Sequence, residues 1–232
     1  MRHAEKRLYP DEMVRQLPVV PRHHMHYREW NMRRYIDFRL CKDPKVREAK
    51  RILDLGCGNG WFTHQLACRT RGEVFGLDVN QPDLVQAARL FSSPNCHFAC
   101  GDIFDDQWPL AGFDLIVLLS AIQYFPSVTK LLTRLLSLLA EEGEIHIADS
   151  PIYRTRRHAD QARERSSAYF HNLGFPSASA YYHHHSLESL APFHPQILYD
   201  PGRFISRIKR IVLGQGSLFP WIKIKKQDVG IY

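Results

Sequence analysis

Three glycines follow one apolar run near residue 54, and their spacing suits the binding of a ligand through the main chain. The run Arg51–Leu55 contains Asp54 and leads into Gly56-Cys57-Gly58-Asn59-Gly60. Glycines permit positive φ angles and carry no Cβ atom, so a ligand can approach the backbone closely. A helix that starts directly after such a turn offers unpaired N–H groups to the same ligand. The segment therefore predicts a ligand-binding loop between a strand and a helix.

Two details of this loop favour a cationic ligand over a dinucleotide. The dinucleotide fingerprint Gly-x-Gly-x-x-Gly requires its third glycine at position 61, but that residue is Trp61 and the glycine is Gly60. Asp54 lies two residues before the first glycine, where a carboxylate suits a positively charged ligand better than a pyrophosphate. The loop alone remains a weak signal, because dinucleotide-binding domains also use glycine-rich turns.

An acid followed by Gly-x-Gly-x-Gly at the end of the first strand resembles the first motif of the class I S-adenosylmethionine-dependent methyltransferases. The resemblance implies S-adenosylmethionine as the cofactor and S-adenosylhomocysteine as its product. It covers about residues 50–150 with specific motifs, and the rest of the chain by strand order alone. The residues of this motif that the resemblance places at the cofactor are Asp54, Gly56, Cys57, Gly58, Asn59 and Gly60.

The resemblance also assigns roles to residues at the ends of the next two strands. Asp78 would accept hydrogen bonds from both ribose hydroxyls, since a carboxylate can accept two at once, and Val79 follows it. Asp102 would lie near the adenine amino group, with Ile103 against the adenine ring. A role as an ordinary turn or cap residue is the alternative for each acid.

The fourth strand, Phe113–Leu119, would bring its end beneath the sulfonium group. This places Ser120 and Ala121 beside the reacting methyl group, with Gln123 or Tyr124 as further neighbours. A dedicated base is not required, because in-line displacement of an activated methyl group depends mainly on alignment.

No catalytic residue is fixed by the sequence. The candidate bases that would take a proton from a hydroxyl acceptor are Tyr124, His26 and His185, and for each a packing or surface role is the alternative. The run His183-His184-His185 has no carboxylate partner at a recognisable spacing, so no metal site is predicted. Ser120-Ala121-Ile122-Gln123 differs from the motifs of family members that methylate nucleic-acid bases, which disfavours a base-modifying enzyme.

Composition places the chain among single globular domains. It has 232 residues, 44% of them hydrophobic and 24% charged. The sequence contains no apolar run long enough to cross a bilayer, and its start lacks the apolar stretch of a secretory signal, so a cytoplasmic location is expected. Five cysteines without a Cys-x-x-Cys pair predict reduced, mostly buried thiols rather than disulfides or a zinc ribbon.

Charge is distributed unevenly along the chain, whose net charge is +7. Residues 1–50 hold 13 basic and 7 acidic side chains, residues 51–150 hold 6 and 12, and residues 151–232 hold 12 and 5. Basic segments on both sides of an acidic centre indicate an anionic substrate, RNA or an anionic membrane surface, while plain solvation of the surface accounts for them equally well.

Short apolar runs alternate with amphipathic stretches from Arg51 onward, which is typical of a parallel sheet with crossover helices. The predicted strands are Arg51–Leu55, Glu73–Leu77, Cys96–Ala99, Phe113–Leu119, Glu144–Ala148, Gln196–Tyr199 and Trp221–Lys226. The predicted helices are Trp30–Leu40, Trp61–Arg69, Pro82–Phe91, Ser127–Leu139, one around His158–Leu173, and one between the last two strands.

The expected fold is a Rossmann-like α/β three-layer sandwich whose seven-stranded sheet is parallel except for an antiparallel last strand. Within a single domain we distinguish an arm or cap at 1–50, a cofactor-binding core at 51–150, a substrate cap at 151–195, and C-terminal strands and a helix at 196–232. The leading function is methyl transfer to an O, N or C nucleophile of a small, anionic or lipid-linked molecule. The alternatives are an RNA or protein methyltransferase and a non-catalytic cofactor-binding module, and the oligomeric state is left open.

Overall fold

The strands of the main sheet match the predicted ones closely. The computed structural model describes residues 9–17, 47–105, 111–206, 208 and 217–229. Seven strands form the main sheet: β1 Arg51–Leu55, β2 Glu73–Asp78, β3 Cys96–Cys100, β4 Phe113–Leu119, β5 Leu139–Ala148, β8 Gln196–Tyr199 and β9 Trp221–Lys225. A second sheet of two short strands consists of β6 Ile152–Tyr153 and β7 His185–Ser186.

Strand order in the main sheet is β3-β2-β1-β4-β5-β9-β8. The first five strands are parallel, while β9 runs antiparallel to both β5 and β8. Order reverses between β1 and β4, and in open α/β sheets ligands bind outside the carboxyl ends of the strands at such a switch point. The Rossmann-like fold with an antiparallel last strand is thus confirmed.

Most side chains on both faces of the central strands are apolar and buried, as is usual for parallel sheets. Ile52, Leu53, Ile116 and Val117 have no exposed surface. Helices cover the two faces, and their bounds are α1 Asp11–Gln16, α2 Trp61–Ala67, α3 Gln81–Leu90, α4 Val128–Leu138, α5 Arg156–Asn172 and α6 Leu187–Leu190. The predicted helix at Trp30–Leu40 and most of the one between β8 and β9 lie outside the described residues.

Helix α4 has an N-terminal cap and one apolar face. Ser127 caps it by accepting a hydrogen bond from the backbone N–H of Lys130 at 3.3 Å. Its leucine stripe is buried against the sheet, with Leu131, Leu132 and Leu135 fully inaccessible. The stripe thus packs in the core, and the predicted helix Ser127–Leu139 is present as α4.

Strand β5 begins at Leu139, five residues before the predicted start at Glu144. The extension passes Gly143, where an added Cβ atom would lie 2.7 Å from the carbonyl oxygen of Phe113. A glycine lets the strand continue past this close approach, and the β4–β5 register shifts at the same place, between Phe113 and Leu115. Side-chain alternation carries no signal for such an extension.

The segment that follows β5 packs onto the segment that follows β4. The backbone N–H of His183 donates to the carbonyl oxygen of Gln123 at 2.7 Å. His185 places Nε2 3.2 Å from the carbonyl oxygen of Ile122 and 3.0 Å from that of Phe125. Residues after β5 therefore cover the end of β4, where the sequence predicts the substrate cap.

No helix within the described part of the chain is both long and apolar enough to span a bilayer. The four described cysteines are free thiols; Cys57 and Cys96 are buried, whereas Cys68 and Cys100 are exposed. The expectation that the thiols are mostly buried is therefore wrong for two of these four. Both exposed positions lie at the end of an element, Cys68 after α2 and Cys100 at the last residue of β3, where the chain leaves the core.

Candidate functional site

The loop between β1 and α2 turns through three glycines that all have positive φ, at 78° for Gly56, 53° for Gly58 and 73° for Gly60. Packing requires two of them to lack a side chain. A Cβ atom on Gly56 would lie 2.6 Å from Cβ of Ala121, and one on Gly60 would lie 2.5 Å from Cβ of Ala87. These two glycines let the loop sit close to its neighbours in the fold.

Gly58 differs, because it faces open space. The nearest atom to an added Cβ is Oδ2 of Asp83 at 3.9 Å. The backbone of Gly58 is also held by the neighbouring strand β2, because its N–H donates to Oδ2 of Asp78 at 2.8 Å. One glycine of the loop is therefore held in place with its main chain accessible to a ligand.

Asp54 lies beneath this loop with 1% of its surface exposed. The hydroxyl of Thr63, in the first turn of α2, donates to Oδ2 of Asp54 at 2.7 Å. Burial raises the pKa of Asp54 to about 7, against the lowering effect of the Thr63 hydrogen bond and with a further raising effect from Asp78. Near neutral pH this carboxyl group is poised between its neutral and charged forms, so a cation bound nearby would favour the charged one.

Asp78, the last residue of β2, stands beside the loop in the position that the sequence predicts. Its Oδ1 accepts a hydrogen bond from the N–H of Asn80 at 2.8 Å, in addition to the bond that Oδ2 accepts from Gly58. A carboxylate has about four acceptor positions, so two remain for a ligand. Val79 beside it is an apolar side chain with 72% of its surface exposed, which offers a flat contact for a ring.

Asn59 and Cys57 shape the loop itself. Oδ1 of Asn59 accepts a hydrogen bond from the N–H of Trp61 at 3.3 Å, at the start of α2. Burial and the neighbouring Asp54 raise the pKa of the Cys57 thiol, which keeps it protonated. Asn59 thus has a local structural role in the loop, and the protonated thiol of Cys57 is a poor nucleophile.

At the end of β3 the two predicted residues differ in exposure. Asp102 is exposed, and its Oδ1 accepts a hydrogen bond from the N–H of Phe104 at 3.0 Å. Ile103 is 1% exposed and packs in the core, while the ring of Phe104 is 41% exposed. Asp102 is accessible to a ligand here, whereas the side chain of Ile103 offers little open surface.

The ends of β4 and β5 carry backbone strain. Ser120 and Asp149 have φ angles of 57° and 50°, in the left-handed region that non-glycine residues avoid. They are neighbours, because the N–H of Ser120 donates to the carbonyl oxygen of Ala148 at 3.0 Å. Such strain costs about 1–3 kcal/mol per residue and clusters at functional sites. This part of the edge is therefore a further candidate portion of the site.

Gln123 is held against Ser120, where its Nε2 donates to the carbonyl oxygen at 2.7 Å. Its Oε1 is buried and, within the described residues, has no hydrogen-bond partner. An acceptor without a partner costs free energy when buried, and a donor on a bound ligand would remove that cost. The neighbouring Tyr124 is 46% exposed and packs edge-to-face on Tyr182, with ring centroids 6.0 Å apart.

The candidate bases His185 and Tyr124 lie in different surroundings. His26 lies outside the described residues. His185 is 7% exposed, and its Nε2 contacts two backbone carbonyl oxygens, an arrangement that anchors the segment after β5. This geometry supports a structural role for His185, while Tyr124 is open to solvent. The described residues contain no group of side chains that could hold a metal ion.

Sequence reasoning missed Thr63 as the partner of Asp54. The two are nine residues apart, one on a strand and one on a helix, so no periodicity or motif joins them. The histidine run was visible in the sequence, but the contacts of His184 were not: its Nε2 lies 2.9 Å from Oγ of Ser166, and its ring is 5.3 Å from that of Tyr182.

Residues 47–189 match the profile of a family described as "Methyltransferase domain", which is more than half of the chain. The chain belongs to this family. The predicted membership in the class I S-adenosylmethionine-dependent methyltransferases is thereby confirmed, and with it the cofactor that this family uses.

Curated relatives of this methyltransferase-family chain include two trans-aconitate 2-methyltransferases. That of Deinococcus radiodurans is 33% identical over 128 residues, 51% of this chain and 48% of that protein. That of Variovorax paradoxus is 35% identical over 134 residues, 51% and 49% of the two chains. The chain spans about half the length of the curated relatives it matches.

A solved S-adenosylmethionine-dependent methyltransferase from Mesorhizobium loti shares the fold, with a TM-score of 0.55 and 20% identity over 78% of this chain and 93% of that one.

Proposed function

We propose that this chain transfers a methyl group from S-adenosylmethionine to a small-molecule acceptor. The observation that carries the proposal is the open space at Gly58, next to the carboxylate of Asp78. Gly58 alone among the three loop glycines faces open space, and Asp78 both fixes its N–H and keeps acceptor positions for two ribose hydroxyls. The residues present therefore fit an adenosyl ligand.

The rest of the cofactor would lie along the same edge. Val79 would cover one side of the adenine ring, and Asp102 would accept a hydrogen bond from its amino group. Asp54 and the main chain of residues 56–60 would face the amino-acid end. The loop would thus place the cofactor with its sulfur toward Ser120, at the end of β4.

S-adenosylmethionine supplies an activated methyl group on a sulfonium that leaves as a neutral thioether. The chain's own contribution is alignment and exclusion of water. Ser120 and Gln123 shape the floor beneath the reacting group, and the segment after β5 covers it by the hydrogen bond between His183 and Gln123. Tyr124 is the described candidate base that is open to an acceptor.

A small organic acid is the acceptor class that the comparisons support best. Two relatives are named for the methylation of trans-aconitate. Residues 151–232, which include the proposed cap, hold 12 basic and 5 acidic side chains, and this excess favours an anionic acceptor.

Binding and turnover test the proposal separately. S-adenosylhomocysteine should raise the melting temperature of the full chain, while NAD should not. Incubation with methyl-labelled S-adenosylmethionine and a panel of small organic acids, trans-aconitate among them, should give a labelled product. Stabilisation by NAD but not by S-adenosylhomocysteine would reject the assigned cofactor. Cofactor binding without any labelled product from the panel or from a cell extract would reject catalysis.

A further inference from the structure

A cavity of about 380 Å³ lies between α5, the β6 strand and the turn that follows β8. Its volume is within the range of small-molecule sites. The polar and charged side chains among its lining residues are Tyr153, Arg154, His158, Gln161, Arg165 and Asp200. None of these residues belongs to the cofactor site described above, so the cavity needs an explanation of its own.

The cavity opens on the same edge of the sheet as the cofactor loop. Strand β8 runs in the direction of β5, because both pair antiparallel with β9. Asp200 follows the last residue of β8, and Tyr153 lies five residues after the last residue of β5. Both therefore stand at the carboxyl edge, next to the strained end of β5.

A set of rings connects the cavity with the end of β4. The ring of Tyr153 lies 5.8 Å from that of His184, which in turn lies 5.3 Å from that of Tyr182. Tyr182 contacts Tyr124 with centroids 6.0 Å apart. An acceptor that reaches from the cavity along these rings would arrive at Tyr124, in the segment after β4 that begins with Ser120.

Arg154 is held by one acid that also lines the cavity. Its Nη2 donates to Oδ2 of Asp200 at 3.0 Å, and Oδ1 of Asp200 accepts a hydrogen bond from the N–H of Gly202 at 2.7 Å. Gly202 also makes room for the guanidinium group, because an added Cβ would lie 3.0 Å from Nη2 of Arg154. A guanidinium has five N–H donors, so most of those on Arg154 remain for a ligand.

Arg165 supplies a second positive charge. It lies on the face of α5 that also carries His158 and Gln161, at spacings of three and four residues. In the part of the chain that the structure describes, Arg165 forms no ion pair with an acid. His184 adds no charge, since burial first, with Arg163 and Arg165 among the further causes, lowers its pKa to about 4. Two arginines thus face one carboxylate, and the lining is net positive.

We propose that this cavity binds an anionic oxygen group, a carboxylate or a phosphate, of the methyl acceptor through Arg154 and Arg165. The planar guanidinium fork matches such groups with paired hydrogen bonds, and Asp200 holds one fork in place without neutralising both. The inference rests on the proposed function, because it takes the ligand of the cavity to be the molecule that receives the methyl group.

The test measures binding of two probes, citrate and inorganic phosphate, to the full chain by calorimetry with and without saturating S-adenosylhomocysteine. Arg165→Gln and Arg154→Gln should each lower the affinity for the probe about tenfold or more, because each removes charged hydrogen bonds. Arg157→Gln is the matched control: the residue is exposed on the same helix but does not line the cavity, so affinity should stay unchanged. Affinity for S-adenosylhomocysteine and the melting temperature should be the same in all three variants.

The two probes separate the sources of the anionic group, since citrate binding indicates a carboxylate and binding of phosphate alone indicates a phosphorylated acceptor. Equal probe affinity in Arg165→Gln and Arg157→Gln would overturn the proposal, as would a wild-type chain that binds S-adenosylhomocysteine but neither probe. If the wild-type chain binds citrate without S-adenosylhomocysteine and never binds the latter, the proposed function fails while the anion site remains.

Discussion

Asp54→Asn is the perturbation that tests the electrostatic reasoning about the cofactor loop most directly. The carboxyl is 1% exposed, and burial raises its pKa from an ordinary value of 3.8 to about 7. Asparagine has nearly the same shape, and its amide oxygen can still accept the hydrogen bond from Thr63. The substitution therefore removes the charge while it leaves the packing almost unchanged.

The sign of the effect on stability follows from proton uptake. Below pH about 4 the carboxyl is protonated in both the folded and the unfolded chain, so it adds no pH dependence. Between pH 4 and 7 the folded chain keeps a proton that the unfolded chain has lost, and the free energy of unfolding falls as pH rises. The difference of about 3 pH units corresponds to at most about 4 kcal/mol at 1.36 kcal/mol per unit, and relaxation of the folded chain would reduce it to about 2 kcal/mol.

Urea unfolding of the cofactor-free chain at pH 5 and pH 8 measures this difference. Asp54→Asn should be more stable than wild type by about 2–4 kcal/mol at pH 8, with a smaller gain at pH 5. Glu164→Gln, which removes an exposed acid on α5, should change stability by less than about 0.5 kcal/mol at either pH. A variant that is less stable than wild type at pH 8 would refute the claim that burial of the charge dominates at this position.

The negative charge of Asp54 should also strengthen the binding of the cofactor. Affinity of the wild-type chain for S-adenosylhomocysteine should rise from pH 5.5 to pH 8 as Asp54 ionises beside the ligand's ammonium group. In Asp54→Asn the affinity should be about tenfold lower at pH 8 and nearly constant over that range. A wild-type affinity that does not change with pH would show that the charged form of Asp54 does not act on the ligand.

Four further substitutions test the site. Gly58→Ala should cost about 1–2 kcal/mol of stability for its positive φ and weaken S-adenosylhomocysteine binding more than tenfold by calorimetry, because its Cβ would enter the open space there. Gly60→Ala should instead lower the free energy of unfolding by about 3 kcal/mol or more, since its Cβ would collide with packed atoms; equal effects of the two would contradict the distinction. Asp78→Ala should weaken cofactor affinity by about 1–3 kcal/mol, and unchanged affinity would remove this residue from the site. Thr63→Val should destabilise the chain by about 1–2 kcal/mol at pH 8 and by less at pH 5, and a loss that is the same at both would mean that the hydroxyl does not stabilise the charged form of Asp54.

The geometry of the proposed cofactor site was predictable because its residues lie in local motifs. The strand Arg51–Leu55 and the turn after it are legible from an apolar run, an acid and glycine spacing, all within ten residues. Asp78 follows the next strand, and parallel strands bring their carboxyl ends to one edge, so its proximity to Gly58 follows from topology. Local pattern and sheet geometry together were sufficient here.

Other features depend on contacts between distant segments, which no local pattern encodes. The hydrogen bond from Thr63 to Asp54 joins a helix to a strand, and the early start of β5 depends on the close approach of Phe113 to Gly143. The cavity near Arg154 forms only where α5 meets the turn at Asp200, 46 residues away in the chain. The sequence shows an excess of basic residues over 151–232 but not which of them face a common space.

The uneven charge along the sequence acquires a spatial meaning if both proposals hold. The acidic loop at Asp54 and Asp78 would hold the cationic cofactor, and the cavity at Arg154 and Arg165 would hold the anionic acceptor, at two places on one sheet edge. Transfer of a methyl group from a sulfonium to a carboxylate consumes one positive and one negative charge. Such a reaction gains when water is excluded, because water stabilises the separated charges more than the neutralising transition state. The rings between the two places, with Tyr182 at their centre, would give the acceptor an apolar surface to cover, and an acceptor bound there would displace water from the exposed ring of Tyr124.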